Sequence, residues 1–524
     1  MEFPEINPQW FSALLSSLRY DGAAPLQIPS AFFLVAFLLF LSVHSFLLSR
    51  PKARNLFTLL FSLYLYYKLS GAYVLLLLGI GLVDWTLAHF IGKASPAVAD
   101  SPASCAGSKG RRRIGPKALV ALSVTMNVGV LLFFKANGVF VDLVSEISAG
   151  GVTLEKIAVP AGVSFFCFQS ISYVVDCYRG KIQPLGNPLD YLFLLSFFPK
   201  MFLGPLVPNA DFIAQMQRKD IEVSREDRGQ AARQIFSGIL KFCILSKIIG
   251  QLFVHPTLSQ PDSSSGFSLL AAVYAYTIQL YCDFSGYTDL ASGVALLMGY
   301  RLPLNFRLPY HSATITEFWR RWHISLSSWL RDYLYISLGG NRRGRVRTYV
   351  NLLLTMALGG LWHGFGLMFL LWGLWHGMLL CFHKAWMKFV PGALPTGEGM
   401  PLWRRAIGIF VTFNAVAFGW LMFVSPSWES FSAVLKGIFT TFSFDSIPAI
   451  ILANLPAFTA MTVGYLLHCI PSGAITKIDR LFTRSGFVGE VALVCLVIWI
   501  ALQCDATFFP AAAGNAALPI YANF

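Results

Sequence analysis

The chain has 524 residues, of which 56% are hydrophobic and only 13% charged. Soluble domains average about 25% charged residues, so composition excludes an ordinary soluble globule and requires a polytopic membrane protein, built from helices or from a barrel because lipid satisfies no backbone group. The formal net charge of +14 would point to nucleic acid in a soluble protein, but the positive-inside rule accounts for it here, and no nucleic-acid partner is expected.

The apolar runs are long and continuous, which favours helices over the alternating strands of a barrel. The first run covers 28–49, and a tight pair follows at 55–70 and 72–91. The clearest hydrophilic loop is 92–117, with Lys109, Arg111, Arg112, Arg113 and Lys117. The next run, 118–135, ends on Lys135, and 136–156 is polar. The segment 159–178 carries Gln169, Ser170, Ser172 and Asp176 inside an apolar frame. The segment 189–208 is interrupted by Pro199-Lys200 and Gly204-Pro205, which predicts a broken or re-entrant helix. Spans follow at 232–256 and 266–282, then a polar-rich region at 283–347. Further spans are expected at 348–363, 367–383, 406–424, 450–469 and 487–503. No internal period of solenoid length recurs.

Lysine and arginine concentrate at 50–54, 92–117, 179–181, 301–347, 384–405 and 477–484, whereas 1–27, 136–156, 257–265 and 505–524 are poor in them. With 189–208 and 286–299 not crossing, about twelve crossings place every basic loop on one side and both termini on the other. Nine cysteines are scattered without CxxC spacing. Those in apolar segments, Cys167, Cys177, Cys243, Cys282, Cys381, Cys469 and Cys495, read as small core residues, with neither a disulfide framework nor a metal site expected.

Chemistry concentrates between Asp283 and His383, where ionisable groups are interleaved with tryptophans. Polar residues kept inside a membrane segment are costly and mark functional sites. Over 316–335 the spacing of Trp319, Trp322, His323, Leu326, Trp329, Leu330 and Tyr333 predicts one amphipathic helix with Arg320, Arg321 and Arg331 on its other face. It reads either as an interfacial helix or as the carrier of His323 toward a reaction chamber. The turn-rich loop 339–347 holds Arg342, Arg343, Arg345 and Arg347. These arginines serve orientation alone, or they also dock an anionic donor such as coenzyme A phosphates or an acidic carrier protein.

His363 follows Gly359-Gly360-Leu361-Trp362 and precedes Gly364. A lone core histidine is commonly structural. The flanking glycines, however, permit close backbone approach or a break onto a cavity, and a buried neutral imidazole is ready as a base. His376, thirteen residues later, would point about 220° away on one continuous helix, so a shared metal site would need a break between them. Asp283, Ser285 and Asp289 form an intramembrane polar patch, read as structural hydrogen bonding or as a chamber wall.

The stretches PAGVSFFCFQSISYVVDCYRG, FFPKMFLGPLV, YCDFSGYTDLASGVALLMGYRLPLNFRLPY, EFWRRWHISLSSWLRDYLYISLGGNRRG, GGLWHG and LWGLWHG resemble the membrane-bound O-acyltransferase (MBOAT) family, within it the bacterial branch that O-acetylates alginate. The likeness covers about residues 160–380. It implies an all-α polytopic ring of about 11–13 transmembrane helices, with re-entrant and amphipathic segments around a central tunnel. It divides the chain into an N-terminal extracytoplasmic or interfacial segment 1–27, transmembrane helices 28–158, a catalytic core 159–383 and C-terminal transmembrane helices 384–524. In family terms His363 activates the acceptor hydroxyl and His323 orients donor or acceptor. Trp319, Trp322, Trp362, Asp283, Ser285, Asp289 and His376 become candidates for the tunnel lining, and the four arginines candidates for donor binding. The resemblance further implies no bound cofactor or metal. The donor is acetyl-CoA or another acyl thioester, from coenzyme A or an acyl carrier protein, and the surroundings are the lipids of the bacterial inner (cytoplasmic) membrane. The acetyl group would cross to a periplasmic SGNH-like partner or polysaccharide-modification complex for exopolysaccharide O-acetylation. The alternatives are D-alanyl transfer for teichoic acid from a carrier protein, and a non-enzymatic polysaccharide export component.

Overall fold

The computed structural model describes residues 16–22, 25–26, 30–94, 115–148, 155–201, 204–390, 392–394 and 396–509. The basic stretch 109–113 of the loop 92–117 and the terminal segments 1–15 and 510–524 lie outside the described residues. Among those described, every regular element is helical. Among the described residues six segments are long and apolar enough to cross a bilayer: Pro51–Lys93, Pro116–Ile147, Arg225–Ser259, Leu367–Phe389, Leu402–Val424 and Gly473–Phe508. The pair Ile447–Ala453 and Leu455–His468, bent by 91°, makes a seventh if counted as one span.

Helices α1 (Ala31–Phe46), α2 (Pro51–Ser70) and α3 (Val74–Ala94) occupy the first three expected runs. Ser30 starts α1 by accepting the Phe33 N–H at 3.2 Å, and Pro51 stands at the first position of α2, where its missing N–H costs nothing. Helix α4 (Pro116–Ile147) runs on through residues 136–147, which the sequence reading leaves as a loop. Lys135 therefore sits within a helix and not at its end. Helix α5 (Val163–Tyr178) is followed by α6 (Pro188–Ser196), α7 (Phe198–Met201) and α8 (Asn209–Met216), so the interrupted segment at 189–208 is broken as expected.

Helix α9 spans Arg225–Ser259 and loosens into π-type turns at Leu240–Ser246 and Gly250–Val254. Its partner α10 (Gly266–Leu297) corrects the expectation that a span ends at 282. The polar patch does not end the helix because α9 satisfies it. Lys241 pairs with Asp289 at 2.7 Å and bonds Ser285 at 3.1 Å; Ser237 donates to Asp289 at 2.9 Å and Ser246 to Asp283 at 3.3 Å. At 32 residues α10 is about 48 Å long, and it is buried along most of its length.

The single amphipathic helix expected over 316–335 is also corrected. Helix α11 (Ile315–Arg321) ends at Trp322, His323 adopts a left-handed φ of 42°, and α12 (Ile324–Trp329) leads into a π-type turn at Leu330–Tyr335. A distant extended segment satisfies the backbone at this break: Ile324 N–H donates to Asn305 O and Arg307 N–H to Arg321 O, each at 2.9 Å. Arg321, read as a solvent-face residue, turns inward to pair with buried Glu317 at 2.5 Å.

Helices α13 (Arg345–His363) and α14 (Leu367–Phe389) pack closest at two glycines. A Cβ at Gly360 would meet Phe369 O at 2.2 Å, and one at Gly373 would meet Met356 O at 2.3 Å. Then come α15 (Leu402–Val424), α16 (Trp428–Thr440), α17 (Ile447–Ala453), α18 (Leu455–His468) and α19 (Ser472–Phe508), the last kinked at Gly486. Helix α16, capped by Ser427, has no counterpart among the spans read from sequence.

Candidate active site

Helices α9, α13, α15 and α19 start in arginine- or lysine-bearing segments, and their far ends converge on one cavity of about 1170 Å³. Its wall includes Ser164 and Phe165 of α5, Ser246 and Lys247 of α9, Tyr276, Gln279, Asp283 and Tyr287 of α10, and Phe423 of α15. Trp362 and His363 line it from the end of α13.

His363 is the last residue of α13 and is 3% exposed. The chain leaves the helix at once through Gly364, whose φ of −165° is extended. A Cβ at Gly364 would strike the Phe369 ring at 2.2 Å, so the glycine lets the chain turn back tightly into α14. Aromatic rings hold the imidazole: Trp362 at 4.7 Å, Phe423 at 5.1 Å and Trp372 edge-on at 5.2 Å between centroids. A column of rings leads away from it, with Trp362 stacked on Phe168 at 5.2 Å and Phe168 on Trp329 at 3.9 Å. The Trp329 indole N–H is anchored on Phe168 O at 3.0 Å. Beyond the column Tyr333 donates to Asp176 at 2.8 Å, on the side toward the arginine loop.

His323 is equally buried, at 1% exposed, but does not line the cavity. Its Nδ1 lies 3.2 Å from Asn305 Oδ1, which also accepts the Ser325 N–H at 3.2 Å and the Ser325 hydroxyl at 3.0 Å. Because that oxygen is an acceptor, Nδ1 carries the proton and Nε2 presents a lone pair. Nε2 meets no hydrogen-bond partner among the described residues. Both histidines approach one short stretch of α10: Asp283 lines the cavity that His363 lines, and the next residue, Phe284, packs on His323 at 4.6 Å. Asn305 was not legible as a site residue, since it stands in a loop without pattern and acts only through the break it pairs with.

The other candidates separate. Trp362 and Asp283 line the cavity; Ser285 and Asp289 do not, and hold Lys241 instead. Trp319 and Trp322 lie off the cavity lining, Trp322 buried against Trp420 at 4.9 Å and Phe306 at 5.0 Å. His376 is enclosed by Trp372 at 5.0 Å, Trp319 at 5.2 Å, and Phe318 and Trp420 at 6.1 Å. It is off the cavity as well and reads as packing. It shares Trp372 with His363, because the break at 364–366 folds α14 back on α13. Among the described residues no group of three metal-ligating side chains comes together. Arg342, Arg343, Arg345 and Arg347 are all exposed and lie at the start of α13. Helix α13, 19 residues long, puts about 27 Å between Arg345 and His363.

Comparison with known proteins fits this arrangement. The family model described as MBOAT, membrane-bound O-acyltransferase family, matches residues 178–424. The chain is 35% identical over 428 residues to the probable alginate O-acetylase AlgI of Pseudomonas aeruginosa, covering 80% of this chain and 75% of that protein. It is 32% identical to a peptidoglycan O-acetyltransferase of Helicobacter pylori, over 60% of this chain and 64% of the relative. To a teichoic acid D-alanyltransferase of Streptococcus thermophilus it is 31% identical, over 50% and 67%.

Proposed function

The chain belongs to the membrane-bound O-acyltransferase family, and from that membership we propose that it passes an acetyl group from a cytoplasmic thioester, across the membrane, to an acceptor hydroxyl that meets it at His363. It is a multi-pass membrane O-acyltransferase, and its alginate O-acetylase relatives support O-acetylation. The observation that carries the finer reading is the polarity of α13, with four arginines at one end and His363 on the cavity wall at the other.

The positive-inside rule puts the arginine end in the cytoplasm. There the guanidinium groups of Arg342, Arg343, Arg345 and Arg347 attract an anionic donor, acetyl-CoA or an acylated carrier protein, by charge-assisted bonds. The cavity then opens toward the opposite side and admits the acceptor. His363 takes the hydroxyl proton as the oxygen attacks the thioester carbonyl carbon. The tetrahedral intermediate collapses with loss of the thiolate, which is then protonated. General-base help of this kind is worth about 10²–10⁴-fold. Holding donor and acceptor together in a water-poor chamber adds roughly 7–11 kcal/mol at best. In family terms His323, fixed in one tautomer by Asn305, orients the donor or the acceptor.

In the reading that follows from the alginate O-acetylase relatives, the hydroxyl belongs to a periplasmic partner of SGNH-like type or to the exopolysaccharide itself, and the enzyme sits in the bacterial inner membrane. The D-alanyltransferase relatives supply the competing acyl group, D-alanine from a carrier protein. Purified protein offered radiolabelled acetyl-CoA, acetylated carrier or D-alanylated carrier separates these donors. His363→Gln keeps size and polarity but cannot serve as a comparable base. A folded, donor-binding, inactive His363→Gln is the expected result, and wild-type turnover by that variant would remove His363 from the mechanism.

A further inference from the structure

Within α4, a long way in sequence from the residues discussed so far, Lys135 reaches the end of α13. Its ammonium donates to the Trp362 carbonyl and lies 3.5 Å from the His363 carbonyl. It also stands over the Trp362 ring, 5.0 Å from the centroid. The last four carbonyls of a helix have no partner within it. At the end of α13, Gly360 O receives the Gly364 N–H at 3.4 Å, and the chain then turns away through extended Gly364 and Gly366. The carbonyls of Trp362 and His363 are thus left to groups from elsewhere, at the negative end of the helix dipole and inside the membrane, where an unmet carbonyl is expensive. A cation at that point answers both the lone pairs and the dipole.

We propose that Lys135 is a positioning residue for His363: its ammonium caps the end of α13 and so fixes the backbone from which the imidazole reaches the cavity. This rests on His363 being the base of the proposed reaction. A packing contact would not need the charge: an apolar side chain of the same length would fit the lipid-facing helix at lower cost, but it would donate nothing to the two carbonyls. Lys135 does not line the cavity, so it touches no substrate and acts through the helix end that bears His363. Misplacing a catalytic group by about 1 Å costs roughly 10²-fold in rate.

The test is steady-state acyl transfer by purified Lys135→Met, Lys135→Arg and His363→Gln beside the wild type, with elution profile and melting recorded for each. Lys135→Met is expected to fold, to keep the donor KM and to lose about 10²-fold in kcat; Lys135→Arg, which keeps charge and donors, is expected to recover most of that loss. Wild-type kcat in folded Lys135→Met overturns the proposal, as does a folded Lys135→Arg no better than Lys135→Met. Should Lys135→Met fail to fold, Lys135→Gln takes its place: kcat reduced at unchanged donor KM supports the cap, and wild-type kcat overturns it. His363→Gln separates the two readings. If it turns over normally, the base assignment has failed; if it is inactive while Lys135→Met is normal, only the positioning role has failed.

Discussion

Gly373→Ala adds one methyl group at the α13–α14 crossing, 2.3 Å from Met356 O and 3.0 Å from the Ala357 Cα. A carbon and a carbonyl oxygen normally rest at about 3.3–3.6 Å, and both obstacles are backbone, so the helices must part by about 1 Å. Overpacking of this kind costs about 1–3 kcal/mol. Alanine returns about 1 kcal/mol of that through its better helix propensity, leaving a net loss of roughly 0–2 kcal/mol. The geometric consequence is larger. Trp372, the residue before Gly373, supports the His363 ring, and His363 ends the helix being pushed away. A displacement of about 1 Å predicts a fall in kcat of about 10²-fold with only a small drop in melting temperature. Radiolabelled acyl transfer by purified enzyme, with thermal unfolding alongside, measures both. Gly129→Ala on α4 is the control, because a Cβ there meets nothing within 4 Å. Wild-type kcat in Gly373→Ala would refute the idea that close glycine packing sets the position of His363, and a collapse of folded yield would show that the stability estimate is wrong.

Two further outcomes are expected. Asn305→Ala removes the acceptor shared by His323 and Ser325, which should lower stability by about 1–3 kcal/mol for buried donors left unpaired; separately, a His323 ring no longer held in place should lower kcat by about tenfold, about 1.4 kcal/mol in the barrier, and unchanged kinetics would deny His323 an oriented role. Joint Arg342→Glu and Arg343→Glu should raise the donor KM and spare kcat at saturating donor, whereas a change in membrane insertion alone would mean that the loop only orients the chain.

The site was legible where one residue carries its own signal. His363 stood out because Gly, Trp and His crowd the end of an apolar run, and the structure makes that point a helix end on a cavity wall. The glycines flanking His363 were readable as close-approach positions, and Gly360 and Gly364 serve that purpose; Gly373 does the same on the facing helix without having been singled out. Legibility failed where a distant segment overrides local pattern. The 3–4-residue spacing over 316–335 is genuine, but Asn305 and Arg307 pair with the backbone of Ile324 and Arg321, on either side of Trp322–His323, and the helix breaks between them. Asp283 and Asp289 looked like the end of a span, yet Ser246 and Lys241 of α9 meet their charge and α10 continues to Leu297.

Composition, hydropathy and the distribution of lysine and arginine determine by themselves that this chain is a helical membrane protein, roughly where most of its spans lie, and which short stretch carries the candidate site. They do so because lipid punishes every unmatched polar group, so that each one kept is a signal in one dimension. Only the tertiary structure decides which polar residues face the cavity and which merely satisfy one another: Asp283 lines it, while Ser285 and Asp289 hold Lys241 and His376 sits among tryptophans. It likewise decides that Lys135, which reads in sequence as the polar end of a span, belongs to the helix end that bears His363. The physical reason is the same in each case: a hydrogen bond or an ion pair is settled by which helix lies alongside, and that neighbour comes from far along the chain.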